Sequence, residues 1–222
     1  GTLGRQVLSA GWLWLVAALA VVAVFSLAEV NAGSWTPNAR FAPARWSSDN
    51  QLPMLVGQML ASDHMQTGPW QGPWRISDRP PLAYGLHAVF AKVFGSRLVP
   101  QDGVYLLHQH AWPVGVLLNT LWVPAVFLAV LHWSRSTRVA LVIVLACLMS
   151  PFLLFNSGFI WPKLLSAVFG FAAAWLLFDA GAAVRRPLAE DGRGFVLAAG
   201  LSGLALQSHG GAAFGVLAMI PV

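Results

Sequence analysis

Apolar residues in this chain are grouped in long runs that contain few charges. Four runs reach the length that a helix needs to cross a bilayer, about 17 residues or more. They are residues 11–28, 111–131, 139–155 and 159–178. Two shorter apolar runs, 194–208 and 211–222, follow them. The pattern predicts an all-α integral membrane protein, in which residues 1–222 form a single membrane domain built as a multi-span helical bundle.

A long polar segment, residues 31–110, separates the first two runs. Two stretches within it, NQLPMLVGQML and LAYGLHAVFAKVFG, repeat apolar residues at helical spacing. Each is too short to span a bilayer, which is typical of an amphipathic helix that lies in the membrane interface. The stretch between them, TGPWQGPWRI, is rich in Gly, Pro and Trp and predicts an irregular loop.

The composition supports a membrane protein. Only 9% of the residues are charged, whereas about a quarter are charged in an average soluble domain. The net charge of +5 comes from basic residues scattered at the ends of apolar runs, which does not fit a nucleic-acid-binding patch. Cys147 is the only cysteine, so no disulfide can form within the chain.

Arginines flank the apolar runs and predict the orientation of the chain. They are Arg5, Arg135, Arg138, Arg185, Arg186 and Arg193. Because cytoplasmic loops are enriched in basic residues, this distribution places the N-terminus and all six arginines in the cytoplasm. Residues 31–110 and the connections around 156–158 and 208–210 then lie on the outer side. The chain begins without Met and stops within an apolar run, so we expect it to be the N-terminal part of a longer module.

A series of short motifs follows a distinctive order through the outer segment. Asp49 stands at the head of the first amphipathic stretch, which ends in Met59-Leu60-Ala61-Ser62-Asp63; Arg79-Pro80-Pro81-Leu82-Ala83-Tyr84 then leads into the second. This order resembles the first outer loop of the GT-C fold glycosyltransferases that use polyprenyl-phosphate sugars, namely the aminoarabinose transferases and protein O-mannosyltransferases. In that family the pattern runs from an acidic residue through ML-x-S-G-D-W to K-P-P-L-x-Y-W. The resemblance covers the layout of residues 12–135.

The chain departs from the family pattern at three places. Asp49 is followed by Asn50 where the family often has a paired Asp-Glu, and Arg79 stands where Lys is usual. The next outer connection, FNSGFIWPKLL, contains Lys163 but no acidic residue, although many members of the family have one there. The resemblance therefore implies the fold and the donor class rather than a close copy of the aminoarabinose transferases.

The resemblance implies a membrane glycosyltransferase that transfers a sugar from a polyprenyl-phosphate donor to an acceptor on the non-cytoplasmic side of a bacterial inner membrane. Asp49 is the candidate catalytic residue, which takes the acceptor proton or holds a divalent cation. Arg79 and Lys163 are candidates for binding the departing phosphate. Asp78 and Tyr84, which flank the Pro-Pro pair, are candidate substrate-binding residues.

His209 is a further candidate for contact with the donor, because it lies at a predicted outer helix boundary beside two glycines that permit close backbone approach. Structural roles compete with each of these assignments. Asp49 also fits a helix N-cap, Arg79 a partner for Asp78 or for lipid headgroups, and Lys163 a snorkelling side chain. His209 also fits a hydrogen bond between two helices.

Two other classes of function compete with the enzyme. The first is a non-catalytic accessory or scaffold subunit, derived from the same fold and bound to partner membrane subunits. The second is a transporter or channel, which normally places polar residues near the middle of the membrane. Asn119 is the clearest residue of that kind, and we rank transport last.

Overall fold

The computed structural model describes residues 2–30, 52–61, 80–94, 100–101, 104–105, 111–182 and 192–219, and these are mostly helical. The helices are α1 (Thr2–Val30), α2 (Leu52–Ala61), α3 (Leu82–Phe94), α4 (Ala111–Asn119), α5 (Trp122–Ser134), α6 (Thr137–Leu148), α7 (Pro151–Gly158), α8 (Lys163–Ala182), α9 (Gly192–Ser208) and α10 (Ala212–Ala218). Two short antiparallel strands, β1 (Pro100–Gln101) and β2 (Val104–Tyr105), pair with Pro100 opposite Tyr105.

Two helical segments are long and apolar enough to cross a membrane, Gly4–Leu27 and Trp112–Ser134. The pair α6 and α7 adds a third if it is counted as one bent span. The predicted helical fold class is therefore confirmed for the described residues, together with two or three candidate spans. The fourth predicted run does not begin as a helix at residue 159, because Phe159–Pro162 form a connection and α8 starts at Lys163.

Prolines explain where the spans deviate from straight helices. Pro124 has no N–H with which to bond the carbonyl of Thr120, so the backbone turns at Thr120 and Leu121 between α4 and α5. Pro151 begins α7, and Ser150 before it is extended, with φ −69° and ψ 121°. The axes of α6 and α7 therefore meet at 75°. The prediction of one continuous helix over residues 139–155 is wrong at this point.

The core is formed by α1 packing antiparallel against α4 and α5. Near its C-terminal end, Phe25 meets Trp112 edge to face, with ring centroids 6.4 Å apart. Near its N-terminal end, Ala10 belongs to the same buried cluster as Phe127. This packing brings the beginning of α1, which carries Arg5, to the end of the bundle where α5 connects to α6.

The outer surface of the bundle is apolar. Large side chains such as Trp12 and Leu19 on α1, Val142 on α6 and Phe152 on α7 are mostly exposed. An apolar exterior of this extent is unusual for a soluble monomer, whereas a lipid environment accommodates it. It agrees with the membrane location indicated by the apolar runs.

Helices α2 and α3 confirm the two helices predicted in the outer segment, and they pack closely against each other. A Cβ added at Gly57 would lie 2.6 Å from the Cβ of His87, so only glycine allows this approach. Helix α3 also contacts α4 and α9. The residues that α3 buries are Ala83, Tyr84, His87 and Ala91. Val89 and Val93, which belong to the apolar face of the predicted amphipathic helix, are exposed.

Candidate functional site

A cavity of about 200 Å³ lies where three parts of the chain meet. One wall is formed by the first turns of α2 and α3, a second by the α7–α8 connection, and a third by the α9–α10 connection. The lining residues are Leu52, Pro53, Pro80, Ala83, Tyr84, Trp161, Pro162, Ser208, His209, Gly210 and Gly211. This volume is sufficient for a single ring or headgroup.

The cavity brings together two of the residues predicted from the sequence. Tyr84 and His209 both line it, although 125 positions separate them in the chain. Pro80, from the Arg79-Pro80-Pro81 motif, lines it as well. Asp49, Asp78 and Arg79 lie outside the described residues, and their roles stay predictions.

Lys163 stands at the edge of the cavity. Its Nζ lies 4.9 Å from the centre of the Trp161 ring, a distance typical of a cation–π contact. The Trp161 ring in turn lies 5.7 Å from the His209 ring, with the two planes tilted by 46°. Lys163 itself is exposed. A cation, an indole and an imidazole therefore meet along one edge.

His209 is held by its own turn. Its Nδ1 accepts a hydrogen bond from the backbone N–H of Gly211 at 3.0 Å. In the neutral ring this bond assigns the proton to Nε2. A Cβ at Gly211 would lie 2.9 Å from that Nδ1, which explains why a glycine stands at this position.

Asn119 fixes the connection that carries Trp161. The Asn119 side chain is fully buried, and its Nδ2 donates to the carbonyl oxygens of Phe159, at 2.6 Å, and Trp161, at 3.0 Å. Its Oδ1 accepts from the backbone N–H of Leu165 at 3.3 Å. Sequence reasoning considered Asn119 only as a sign of transport. These bonds give it a structural role beside the cavity.

His87 is a second buried polar residue that sequence reasoning missed. Its side chain is 3% exposed, and among the described residues its Nε2 has no hydrogen-bond partner. Burial lowers the pKa of His87 from 6.5 to about 4, because desolvation disfavours the charged ring. The signal in the sequence was its spacing, since His87 falls one helical turn after Ala83 and Tyr84.

No three His, Cys, Asp or Glu side chains come together as a metal-binding group within the described parts of the chain. Asp49, the residue to which the resemblance assigns a divalent cation, lies outside them. The chemistry that the described residues offer is therefore that of a binding cavity, with aromatic surface, an imidazole and a cation at the rim.

No family model matches this chain, and no curated protein or solved structure is similar enough to count as a match. The function must therefore be inferred from the motifs and from the cavity.

Proposed function

We propose that this chain is a membrane glycosyltransferase of the GT-C type, which transfers a sugar from a polyprenyl-phosphate donor to an acceptor on the non-cytoplasmic side of a bacterial inner membrane. One observation carries the proposal. Pro80, Ala83 and Tyr84 of the motif line a cavity together with Trp161 and His209. Part of the motif that resembles the family therefore shares a cavity with His209, a candidate donor contact.

The topology of the bundle supports the proposal. The three segments predicted on the outer side, namely residues 31–110 and the connections near 156–158 and 208–210, all contribute to the cavity or lie next to it. Ala10, near the N-terminal end of α1 that carries Arg5, packs with Phe127 of α5 and Ala140 of α6. This end was predicted on the cytoplasmic side. Near the other end of α1, Phe25 packs with Trp112 and with Ile160, which precedes Trp161 of the cavity wall.

The proposed chemistry assigns one task to each group. Lys163 and Arg79 neutralise the donor phosphate, and Trp161 offers a flat surface to the sugar ring. The acceptor oxygen forms a bond to the anomeric carbon while the bond from that carbon to the phosphate oxygen breaks, and the polyprenyl phosphate leaves with the electron pair. Asp49 takes the proton of the acceptor hydroxyl.

Replacing Asp49 with asparagine tests this function directly. We expect sugar transfer to fall about 100-fold or more, because the amide cannot take up the acceptor proton. The measurement is transfer of labelled sugar from a polyprenyl-phosphate donor by the purified full chain in lipid vesicles. The matched control is Asp102→Asn, which changes an aspartate that belongs to none of the motifs. Equal transfer by the wild type and Asp49→Asn would remove Asp49 from the mechanism.

A second candidate function is a non-catalytic scaffold subunit. It is favoured by the outer segment FNSGFIWPKLL, which has no acidic residue although many family members have one there, and which contains Asn156 and Ser157 at the end of α7. Both side chains form hydrogen bonds within the bundle. Asn156 donates to the carbonyl oxygen of Phe152, and the Ser157 hydroxyl accepts from Nε1 of Trp122. A scaffold would copurify with partner membrane subunits and turn over no glycolipid in the same assay.

A further inference from the structure

We infer that Asn119 is the positioning residue of the cavity, and that it aligns Trp161 and Lys163 as one binding edge for an anionic headgroup that carries a ring. The identity of the ligand rests on the proposed function. The positioning of the two side chains does not, because it follows from the contacts of Asn119 alone.

The first support is the completeness of the Asn119 bonds. Both N–H groups of its amide have acceptors, Phe159 O and Trp161 O, and its oxygen has a donor, Leu165 N. The side chain is 0% exposed. A buried amide whose hydrogen bonds span seven residues of another segment fixes that segment in place, because leaving these groups without partners away from water is costly.

The second support is the fit of α4 against the same segment. Gly115 precedes Asn119 by one helical turn, so the two residues share a face. A Cβ at Gly115 would lie 2.8 Å from the Cα of Ile160. One turn earlier still, Nε1 of Trp112 donates to the carbonyl oxygen of Gly158 at 2.8 Å. The α4 face is therefore complementary to residues 158–165.

The third support links Asn119 to the binding edge. The Trp161 carbonyl oxygen that accepts from Asn119 also accepts from the backbone N–H of Lys163, at 2.9 Å. Pro162 lies between the two and restricts the backbone on both sides. Asn119 thus binds the carbonyl oxygen of Trp161, to which the backbone of Lys163 is also hydrogen-bonded.

The chemistry of the edge defines the class of ligand. A lysine ammonium group attracts a phosphate as a point charge. The Trp161 ring beside it, with Tyr84 in the same cavity, offers aromatic surface to a ring. A phosphate that carries a sugar has both features. The phosphate could belong to a lipid or be free in solution, and the experiment separates the two sources.

The lysines of this chain provide the measurement. Lys92 and Lys163 are the only two in the sequence, and both are exposed. An amine-reactive reagent is applied to the purified full chain in lipid vesicles, and mass spectrometry follows the modification of each lysine. A polyprenyl-phosphate sugar in the vesicles should slow the modification of Lys163 about fivefold and leave Lys92 unchanged. Vesicles of phosphatidylglycerol and added inorganic phosphate are the comparison probes.

Asn119→Ala is the decisive variant. Without ligand, we expect Lys163 to react faster in this variant than in the wild type, and we expect the polyprenyl-phosphate sugar to protect it no longer. Asn156→Ala is the matched control, because the Asn156 side chain donates a hydrogen bond to the carbonyl oxygen of Phe152 within its own helix. Gly115→Ala is the second variant, because it keeps the Asn119 amide but displaces Ile160. It should also speed the modification of Lys163 and remove its protection by the ligand. Gly200→Ala is its control, since a Cβ there meets nothing within 4 Å.

Each outcome decides one part of the inference. Unchanged Lys163 reactivity and intact protection in both Asn119→Ala and Gly115→Ala would overturn the positioning role. Faster Lys163 modification in the variants, with no protection of the wild type by any probe, would support positioning and overturn the proposed ligand. Protection by inorganic phosphate as strong as that by the polyprenyl-phosphate sugar would overturn the lipid-linked source.

Discussion

Replacing Gly57 with alanine is expected to lower the free energy of unfolding by about 2 to 3 kcal/mol. The new methyl carbon would lie 2.6 Å from the Cβ of His87 and 2.9 Å from the backbone nitrogen of Ala88. Neither atom is the end of a flexible side chain, so α2 and α3 must move apart. Because Leu52 on α2 and Tyr84 on α3 both line the cavity, the same movement should also open its wall.

Gly85 provides the matched control for this change. It lies on α3, and a Cβ there meets nothing within 4 Å. Gly85→Ala should therefore raise stability by about 0.5 to 1 kcal/mol through helix propensity. Unfolding in mixed detergent micelles, followed by circular dichroism, measures both variants. A Gly57→Ala variant as stable as Gly85→Ala would contradict the close packing of the two helices.

Acidification should destabilise the protein through His87. The pKa of His87 is lowered to about 4 in the folded protein and is 6.5 in its ordinary state. Between these values the unfolded chain binds a proton that the folded chain excludes. The free energy of unfolding therefore falls as the pH drops from about 6.5 towards 4, by about 3 kcal/mol in total, and this contribution is fully present above pH 6.5.

The variant His87→Leu isolates this effect. Leucine keeps the Cβ that packs on Gly57 and has no titrating group, so its stability should change less between pH 4 and 6.5 than that of the wild type. The measurement is the midpoint of unfolding at several pH values for both proteins. Parallel pH profiles would show that His87 does not control the acid stability.

The helices themselves were predictable, because their apolar spacing and length are local properties of the sequence. The buried face of α3 was not. Apolar periodicity marks Val89 and Val93, which are exposed, as suits the face that an interfacial helix turns to lipid; it gives no sign that Ala83 and Ala91 are buried. In a lipid environment large apolar side chains gain little from packing inside, and small residues let helices approach closely. The side of α3 that packs against α2 therefore has no signal in the apolar pattern.

The site was predictable only in part. Tyr84 and His209 were singled out from motifs and helix boundaries, and the structure brings both to one cavity. The role of Asn119 was not found, because it depends on hydrogen bonds to residues about 40 positions away. The spacing of residues along the chain does not show which distant segment a side chain will bind. The bend at Pro151 could have been anticipated, since the sequence already showed a proline within the apolar run.

The cavity walls have a consequence for synthesis of the protein. Its lining begins at Leu52 and ends at Gly211, so one wall is still missing when the ribosome has produced the first 200 residues. Chains fold largely from the N-terminus as they emerge. The cavity can therefore be complete only after the α9–α10 connection, with His209 and Gly211, has been synthesised.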